Sequence, residues 1–172
     1  MIRQAEFGDA AAIAAVHVAS WRETYGGLLH DVVLAAQSVE ERTARWHQIL
    51  RSPDRACDNF VALAEGGIVG FASSGPCRGA GLPADSEIYA IYLLRRAQGL
   101  GLGRRLLEHC MDALWTHGHR SAGLWVLEEN RGTRGFYEAM GGVPRGTKVE
   151  DGLPYRAYLW TDAGIRRRRT SP

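Results

Sequence analysis

Residues 86–103 combine a run of Ile, Tyr and Leu with a loop that has glycine at every second position. The apolar run, residues 86–94, has the composition of a buried strand. Glycines follow at positions 99, 101 and 103, and apolar residues then recur at the spacing of an amphipathic helix over residues 102–114. This stretch predicts a strand, a glycine loop and a helix in direct succession, around which the rest of the chain must pack.

The glycine loop is a candidate phosphate site. Glycines let backbone N–H groups approach a ligand, and the first turn of a helix leaves its own N–H groups without intrahelical partners. Two common phosphate loops do not fit, because Gly-x-Gly-x-x-Gly fails in both registers, at Arg104 and at Leu106, and because no Gly-Lys-Ser/Thr occurs. Taken alone, the loop could also be a tightly packed turn between a strand and a helix.

The other predicted elements are a mixture of strands and helices. In chain order they are a strand at residues 2–6, a helix capped by Asp9, a helix capped by Ser38, a hairpin about Gly66-Gly67, the central stretch, a strand at residues 121–127, a helix capped by Asn130 and a hairpin about Asp151-Gly152. This order predicts an α/β fold with a sheet of mixed direction and helices on both faces.

Two motifs carry a resemblance to a known family. Residues 98–103 fit Gln/Arg-x-x-Gly-x-Gly/Ala, and residues 130–141 fit Asn-x-x-Ala-x-x-Phe-Tyr-x-x-x-Gly, with Thr133 in place of the small apolar residue and Gly142 where an aromatic residue generally follows. With one helix and one strand between them, the motifs resemble those of the GNAT N-acetyltransferase superfamily. The resemblance implies a single-domain GNAT-like fold over residues 1–161, with a mixed, mostly antiparallel central sheet flanked by helices on both faces.

The resemblance also implies a reaction, the direct transfer of the acetyl group of acetyl-CoA to a primary amine. Tyr137 would be the general acid that protonates the CoA thiolate, and Glu87 the candidate general base. The alternatives are a tyrosine that only packs beside Phe136 and a solvated glutamate at a strand end. The implied cofactor contacts are Ile91, Tyr92, Leu93, Gln98, Gly99, Leu100, Gly101, Leu102, Gly103, Arg104 and Asn130, the last of which could instead only cap its helix.

Aromatic side chains are the candidates for the acceptor site. They are Trp21, Tyr25, Tyr89 and Tyr155. Arg156, next to Tyr155 in the last hairpin, is a further candidate. They suit a small amine that carries an apolar or carboxylate part. A peptide N-terminus is the rival acceptor, because the superfamily includes protein N-terminal acetyltransferases. A homodimer is expected only because many members of the superfamily form one.

The charge pattern argues against a nucleic-acid partner. Four of the 21 Lys and Arg residues are residues 166–169, so the rest of the chain has 17 basic against 19 acidic residues and no basic stripe. We expect residues 162–172 to be a disordered basic tail. No apolar run could span a membrane and no signal peptide is visible, so we expect a cytoplasmic enzyme without a membrane partner. The histidines and the three cysteines lack the spacing of a metal site, so no metal is expected.

Two other function classes stay open at this point. A sensor or interaction module that binds acyl-CoA without turnover would keep residues 98–103 and make Tyr137 and Glu87 dispensable. An RNA-associated module recruited by the arginine tail would bind in a salt-sensitive way that requires residues 166–169.

Overall fold

The computed structural model describes residues 1–26, 38–51, 56–64, 66–79 and 81–161. These residues contain seven strands and four α-helices. In chain order they are β1 (Ile2–Gln4), α1 (Ala10–Tyr25), α2 (Val39–Arg51), β2 (Asp58–Ala64), β3 (Gly67–Pro76), β4 (Ser86–Leu93), α3 (Leu102–Thr116), β5 (Ser121–Leu127), α4 (Arg131–Ala139), β6 (Val143–Glu150) and β7 (Leu153–Thr161), with 3-10 helices at Phe7–Asp9 and Arg95–Ala97. The tail at residues 162–172, expected to be disordered, lies outside the described residues.

The strands form one sheet in the order β1-β2-β3-β4-β5-β7-β6. β1 with β2, β2 with β3, β5 with β7 and β6 with β7 are antiparallel, and β4 with β5 is parallel. The predicted element order and the mixed, mostly antiparallel sheet are therefore confirmed. Contacts divide the chain into two compact units, Met1–Ser74 with Ala90–Cys110, and Gly75–Tyr89 with Met111–Pro172.

The first unit packs α1 and α2 on an apolar cluster. Ile13 of α1, Trp46 of α2 and Phe71 of β3 are buried in it, and the rings of Trp46 and Phe71 meet edge to face at 5.2 Å. Ser38 caps α2 as predicted, because its Oγ accepts the N–H of Glu41 at 3.2 Å. The small alanines of α1, two of which are fully buried in the cluster, let this helix approach its neighbours closely.

Asp9 occupies the predicted N-cap position of α1, but its side chain makes no capping bond to that helix. It ends the 3-10 helix instead, where its carboxylate accepts the N–H of Glu6 at 2.8 Å and pairs with Arg3 at 2.6 Å. The hydrogen bond from Arg3 holds the pKa of the Asp9 carboxyl below its usual value. The side chain thus ties β1 to the start of α1.

The second unit fixes the beginning of β4 against β5. The parallel register pairs Ser86 with Ala122 and Glu87 with Gly123. Ser86 donates its hydroxyl to the carbonyl of Ser121 at 2.6 Å, and the carboxylate of Asp85 accepts the N–H groups of Arg120 and Ser121 at 2.9 and 3.0 Å. These bonds set the position of Glu87 along the strand.

The predicted Asp151-Gly152 hairpin joins β6 and β7. Both residues have positive φ, 50° for Asp151 and 76° for Gly152, as the tightest hairpin turns require. The two strands pair from Val143↔Leu159 to Glu150↔Leu153, with an irregularity between Pro144 and Thr147.

Candidate active site

The glycine loop lies between the 3-10 helix Arg95–Ala97 and the start of α3. Gly99 and Gly101 have φ angles of 75° and 72°, which glycine adopts without strain, and a Cβ at either position would meet no atom within 4 Å. The N–H of Arg105 bonds the carbonyl of Gly101 at 3.1 Å, so three amides of α3 precede its first intrahelical bond. An open surface beside helix N-terminal amides fits the pyrophosphate of acetyl-CoA.

The side chains of this loop have different surroundings. Gln98 donates its Nε2 to the carbonyl of Leu93 at 3.3 Å and so ties the loop to the end of β4. Leu100 is 65% exposed, whereas Leu102 is buried at the start of α3. Arg104 is exposed and pairs with Glu108 one turn along the helix at 2.9 Å. Of the predicted cofactor contacts, the backbone of the loop is therefore better placed for a ligand than its side chains.

A reciprocal contact with α1 also holds the loop. The carboxylate of Glu23 accepts the N–H of Arg95 at 2.7 Å, and the guanidinium of Arg95 donates to the carbonyl of Glu23 at 2.8 Å. Each residue thereby satisfies a backbone group at the end of the other residue's helix.

Strand β4 ends in the first unit with Ile91, Tyr92 and Leu93, all half-buried. Strand β3 approaches closely there, because a Cβ on Gly70 would overlap Cδ1 of Leu93 and lie 2.8 Å from the carbonyl oxygen of Tyr92. The ring of Tyr92 contacts His17 of α1 at 4.8 Å. A glycine at position 70 is thus a requirement of this close approach.

The predicted acceptor residues divide between the two units. Trp21 and Tyr25 meet edge to face at 5.0 Å in the last turns of α1, in the first unit. Tyr89 and Tyr155 belong to the second unit, where burial raises the pKa of Tyr155 and Lys148 lies 5.4 Å from its ring centroid. Of these four residues, Trp21 and Tyr25 are in contact in the first unit. Tyr89 and Tyr155 both belong to the second unit.

Glu87 pairs with Arg78, which lies in the loop before β4. Its Oε2 accepts the N–H of Arg78 at 3.1 Å and its Oε1 accepts Nη2 at 3.0 Å. The guanidinium lies 3.8 Å from the centroid of the Tyr89 ring, and the Tyr89 hydroxyl donates to the carbonyl of Pro76 at 2.6 Å. Sequence reasoning missed Arg78, since nothing in the spacing of a glycine- and proline-containing loop marks one arginine in it.

Helix α4 carries the second motif. The side chain of Asn130 accepts the N–H of Thr133 at 3.2 Å, so its capping role is observed. Tyr137 is 6% exposed, and its ring contacts Phe136, Tyr158 and Trp160 at centroid distances of 5.2, 6.0 and 5.8 Å. An aromatic cluster therefore fixes the phenol.

Trp160 explains why glycine follows Gly141. A Cβ on Gly142 would lie 2.6 Å from Cζ2 of Trp160 and 3.0 Å from the carbonyl oxygen of Tyr137. The indole Nε1 donates to the carbonyl of Met140 at 3.1 Å, which fixes the ring in that place. The Trp160 ring of β7 thus fills the space that a side chain at position 142 would need.

An ion-pair network surrounds Glu128 at the end of β5. Arg156 donates to both carboxylate oxygens, at 2.8 and 3.0 Å, and Arg134 pairs with the same group at 2.8 Å. The hydrogen bonds from Arg156 keep the pKa of Glu128 below its usual value. Tyr158, fully buried, donates to Glu138 at 2.6 Å and accepts Nε of Arg134 at 3.2 Å. Arg156, which we expected near the acceptor, therefore uses its guanidinium to bind Glu128.

Among the described residues, no cluster of three or more His, Cys, Asp or Glu side chains is placed to hold a metal ion. None of the described helices is long and apolar enough to cross a membrane.

Comparison with known proteins places the chain in a family. The profile of the Acetyltransferase (GNAT) family matches residues 15–142. The N-acetyltransferase YuaI of Bacillus subtilis (strain 168) is 40% identical over 139 residues, which are 80% of this chain and 77% of that protein. The phosphinothricin N-acetyltransferase of Streptomyces viridochromogenes is 30% identical over 109 residues, 63% of this chain and 58% of that protein.

The fold is also that of solved acetyltransferase structures. PaiA N-acetyltransferase from Thermoplasma acidophilum, solved in complex with coenzyme A, aligns with a TM-score of 0.71 and 20% identity over 93% of this chain and 98% of that one. The predicted fold and the predicted N-acetyltransferase class are thus confirmed, whereas the roles of individual residues stay predictions. The chain belongs to the acetyltransferase (GNAT) family.

Proposed function

We propose that this enzyme moves the acetyl group of acetyl-CoA directly to the primary amine of a small molecule or a peptide in the cytoplasm. The observation that carries the proposal is the loop at residues 98–103, where Gly99 and Gly101 have positive φ and helix N-terminal amides follow. Backbone amides of this loop bind the pyrophosphate, and Ile91, Tyr92 and Leu93 offer backbone groups to the pantetheine arm.

In this proposal Glu87 is the general base and Tyr137 the general acid. Acetyl-CoA supplies an activated thioester carbonyl. The acceptor arrives as an ammonium ion and gives one proton to the carboxylate of Glu87, which leaves a lone pair for attack on that carbonyl. The N–C bond forms, the C–S bond breaks, and the Tyr137 hydroxyl protonates the departing thiolate. The tyrosine regains a proton from the second N–H of the amine through solvent, so the net products are the amide, free CoA and one proton.

The buried position of Tyr137 supports its role as acid. Contacts with Phe136, Tyr158 and Trp160 leave its ring little freedom. A hydroxyl held in one place protonates a leaving group without first having to be ordered, which is the advantage of a fixed catalytic group. Tyr158, whose hydroxyl lies between Glu138 and Arg134, serves the structure instead.

The test is release of CoA thiol from acetyl-CoA with a panel of small amines and short peptides. We expect turnover with one acceptor class, and a decrease in kcat of about 10-fold or more in Tyr137→Phe, since a positioned general acid contributes at least that much. Tyr158→Phe is the matched control, because it also removes one buried hydroxyl from the same aromatic cluster. Its kcat should stay near that of the wild type.

Two results would contradict the proposal. Tight binding of acetyl-CoA without consumption of any acceptor would favour a sensor. Failure to bind acetyl-CoA at all would show that the loop at residues 98–103 has been misassigned.

A further inference from the structure

In the reaction proposed above, the acceptor amine gives its proton to Glu87, which forms an ion pair with Arg78. Both oxygens of Glu87 are engaged, because Oε2 accepts the backbone N–H and Nε of Arg78 at 3.1 and 3.4 Å and Oε1 accepts Nη2 at 3.0 Å. An ammonium group can reach this carboxylate only by sharing or displacing the guanidinium. The acceptor therefore meets Arg78 as well as Glu87.

The surroundings of Arg78 hold its guanidinium in place without covering it. The group stacks on the Tyr89 ring at 3.8 Å, and the hydroxyl of that ring is anchored on the carbonyl of Pro76. The side chain of Arg78 is nevertheless 57% exposed, against 13% for Glu87. Within the part of the chain that the structure describes, Nη1 of Arg78 has no hydrogen-bond partner. A positioned cation with an unused, solvent-facing donor is suited to bind an anion.

The charge balance says which kind of acceptor fits. Arg78 and Glu87 together are neutral, so a simple ammonium ion would leave one uncompensated positive charge at the pair. An acceptor that also carries a carboxylate restores neutrality, with its ammonium on Glu87 and its carboxylate on Arg78. Because the two side chains touch, the groups that they bind must also lie close together, as they do in an α-amino acid.

We propose that Arg78 is a specificity-determining residue that binds the carboxylate of the acceptor, and that the acceptor is a free amino acid or a similar small zwitterion. The proposal rests on the role proposed above for Glu87. It also separates the two acceptor classes, because the N-terminal amine of a peptide has a neutral amide where an amino acid has its carboxylate.

The experiment compares free amino acids with two uncharged analogues of each, the α-amide and the decarboxylated amine. The amide lowers the pKa of the amine and decarboxylation raises it, so a preference over both cannot come from amine protonation. In the wild type we expect kcat/KM for the best amino acid to exceed that for both analogues by roughly 10- to 100-fold, as a charged hydrogen-bonded contact gives.

Variants of Arg78 assign this preference to one side chain. Arg78→Gln should lower kcat/KM for the amino acid by a similar factor and leave the two analogues unchanged or improved, so that the preference disappears. Arg78→Lys should restore part of it, because lysine keeps the charge without the planar pair of donors. Arg51→Gln, which removes an exposed arginine at the end of α2, is the control and should keep the preference.

Different results identify which proposal fails. Thiol release without any preference for carboxylate, or a loss in Arg78→Gln that is equal for all three compounds, would overturn the role of Arg78 and leave the acetyltransferase proposal standing. If no amine releases thiol, the same compounds are tested for a shift in melting temperature in the presence of CoA. A shift that requires the carboxylate and is lost in Arg78→Gln would uphold the subsite although catalysis had failed, and no shift would overturn both.

Discussion

His17 should make the stability of this protein depend on pH in a way that one substitution can isolate. The imidazole is largely buried on α1 between the rings of Phe71 and Tyr92, at centroid distances of 5.1 and 4.8 Å. Burial, reinforced by the positive charges of Arg42 and Arg45, lowers the pKa of His17 from 6.5 to about 3. Nη1 of Arg42 lies 3.3 Å from Nδ1 of His17.

The sign and the size of the effect follow from this pKa. Between pH 6.5 and pH 3 the unfolded chain binds a proton at His17 and the folded chain does not, so protonation favours unfolding as the pH falls. At pH 5 the loss in the free energy of unfolding, relative to pH 8, is about 2 kcal/mol. Raising the folded pKa by one unit changes this figure by less than about 0.1 kcal/mol, because at pH 5 it depends almost entirely on the unfolded state.

The assay is urea unfolding of the wild type and of His17→Gln at several pH values between 8 and about 5. The quantity of interest is the difference in free energy of unfolding between the two proteins, which removes the titration of all other groups. We expect this difference to change by about 2 kcal/mol across the range, a shift of roughly 1 M in the urea midpoint. His117→Gln calibrates the loss of an exposed imidazole. A difference that stays constant with pH would refute the argument, since it would mean that the folded protein protonates His17 freely.

Two further substitution and labelling experiments test the packing. Gly142→Ala should reduce the free energy of unfolding by about 1–3 kcal/mol, because its Cβ would overlap the Trp160 ring. The control Gly135→Ala, in an open position on α4, should be neutral or stabilising. Equal urea midpoints for the two variants would show that Trp160 moves aside without cost. Burial raises the pKa of the Cys110 thiol to about 12, so Ellman's reagent at pH 8 should label at most two thiols in the native protein and the third only in denaturant. Rapid labelling of all three in the native state would contradict the buried position of Cys110.

Features that depend on neighbours in the sequence could be predicted. The strand, loop and helix at residues 86–116, the Asn130 cap and the Asp151-Gly152 hairpin each follow from local periodicity or from a residue with special backbone freedom. Each of these signals lies within one continuous stretch of chain, so no knowledge of packing was needed to recognise it. The glycine loop and the segment that begins at Asn130 also carried the family resemblance.

Features that depend on which side chains the fold brings into contact, and not on a periodic pattern, could not be predicted. The Asp9 carboxylate pairs with Arg3 and makes no capping bond to its helix. Gly142 departs from the motif because Trp160, on another strand, takes up the space beside it. Arg78 reaches Glu87 through the conformation of a loop whose sequence has no periodicity. In all three cases the deciding partner is chosen by tertiary structure, which leaves no regular spacing to read.

The reciprocal bond between Glu23 and Arg95 has a consequence for how this chain can vary. The two positions are 72 residues apart, yet each supplies the partner for a backbone group beside the other. A change at position 23 alone would therefore remove the acceptor of an amide just before the glycine loop. A change at position 95 alone would leave a carbonyl in the last turn of α1 without that donor. Sequences that keep this arrangement must inherit the two residues as a pair, so a helix near the N-terminus constrains the evolution of the loop proposed to bind acetyl-CoA.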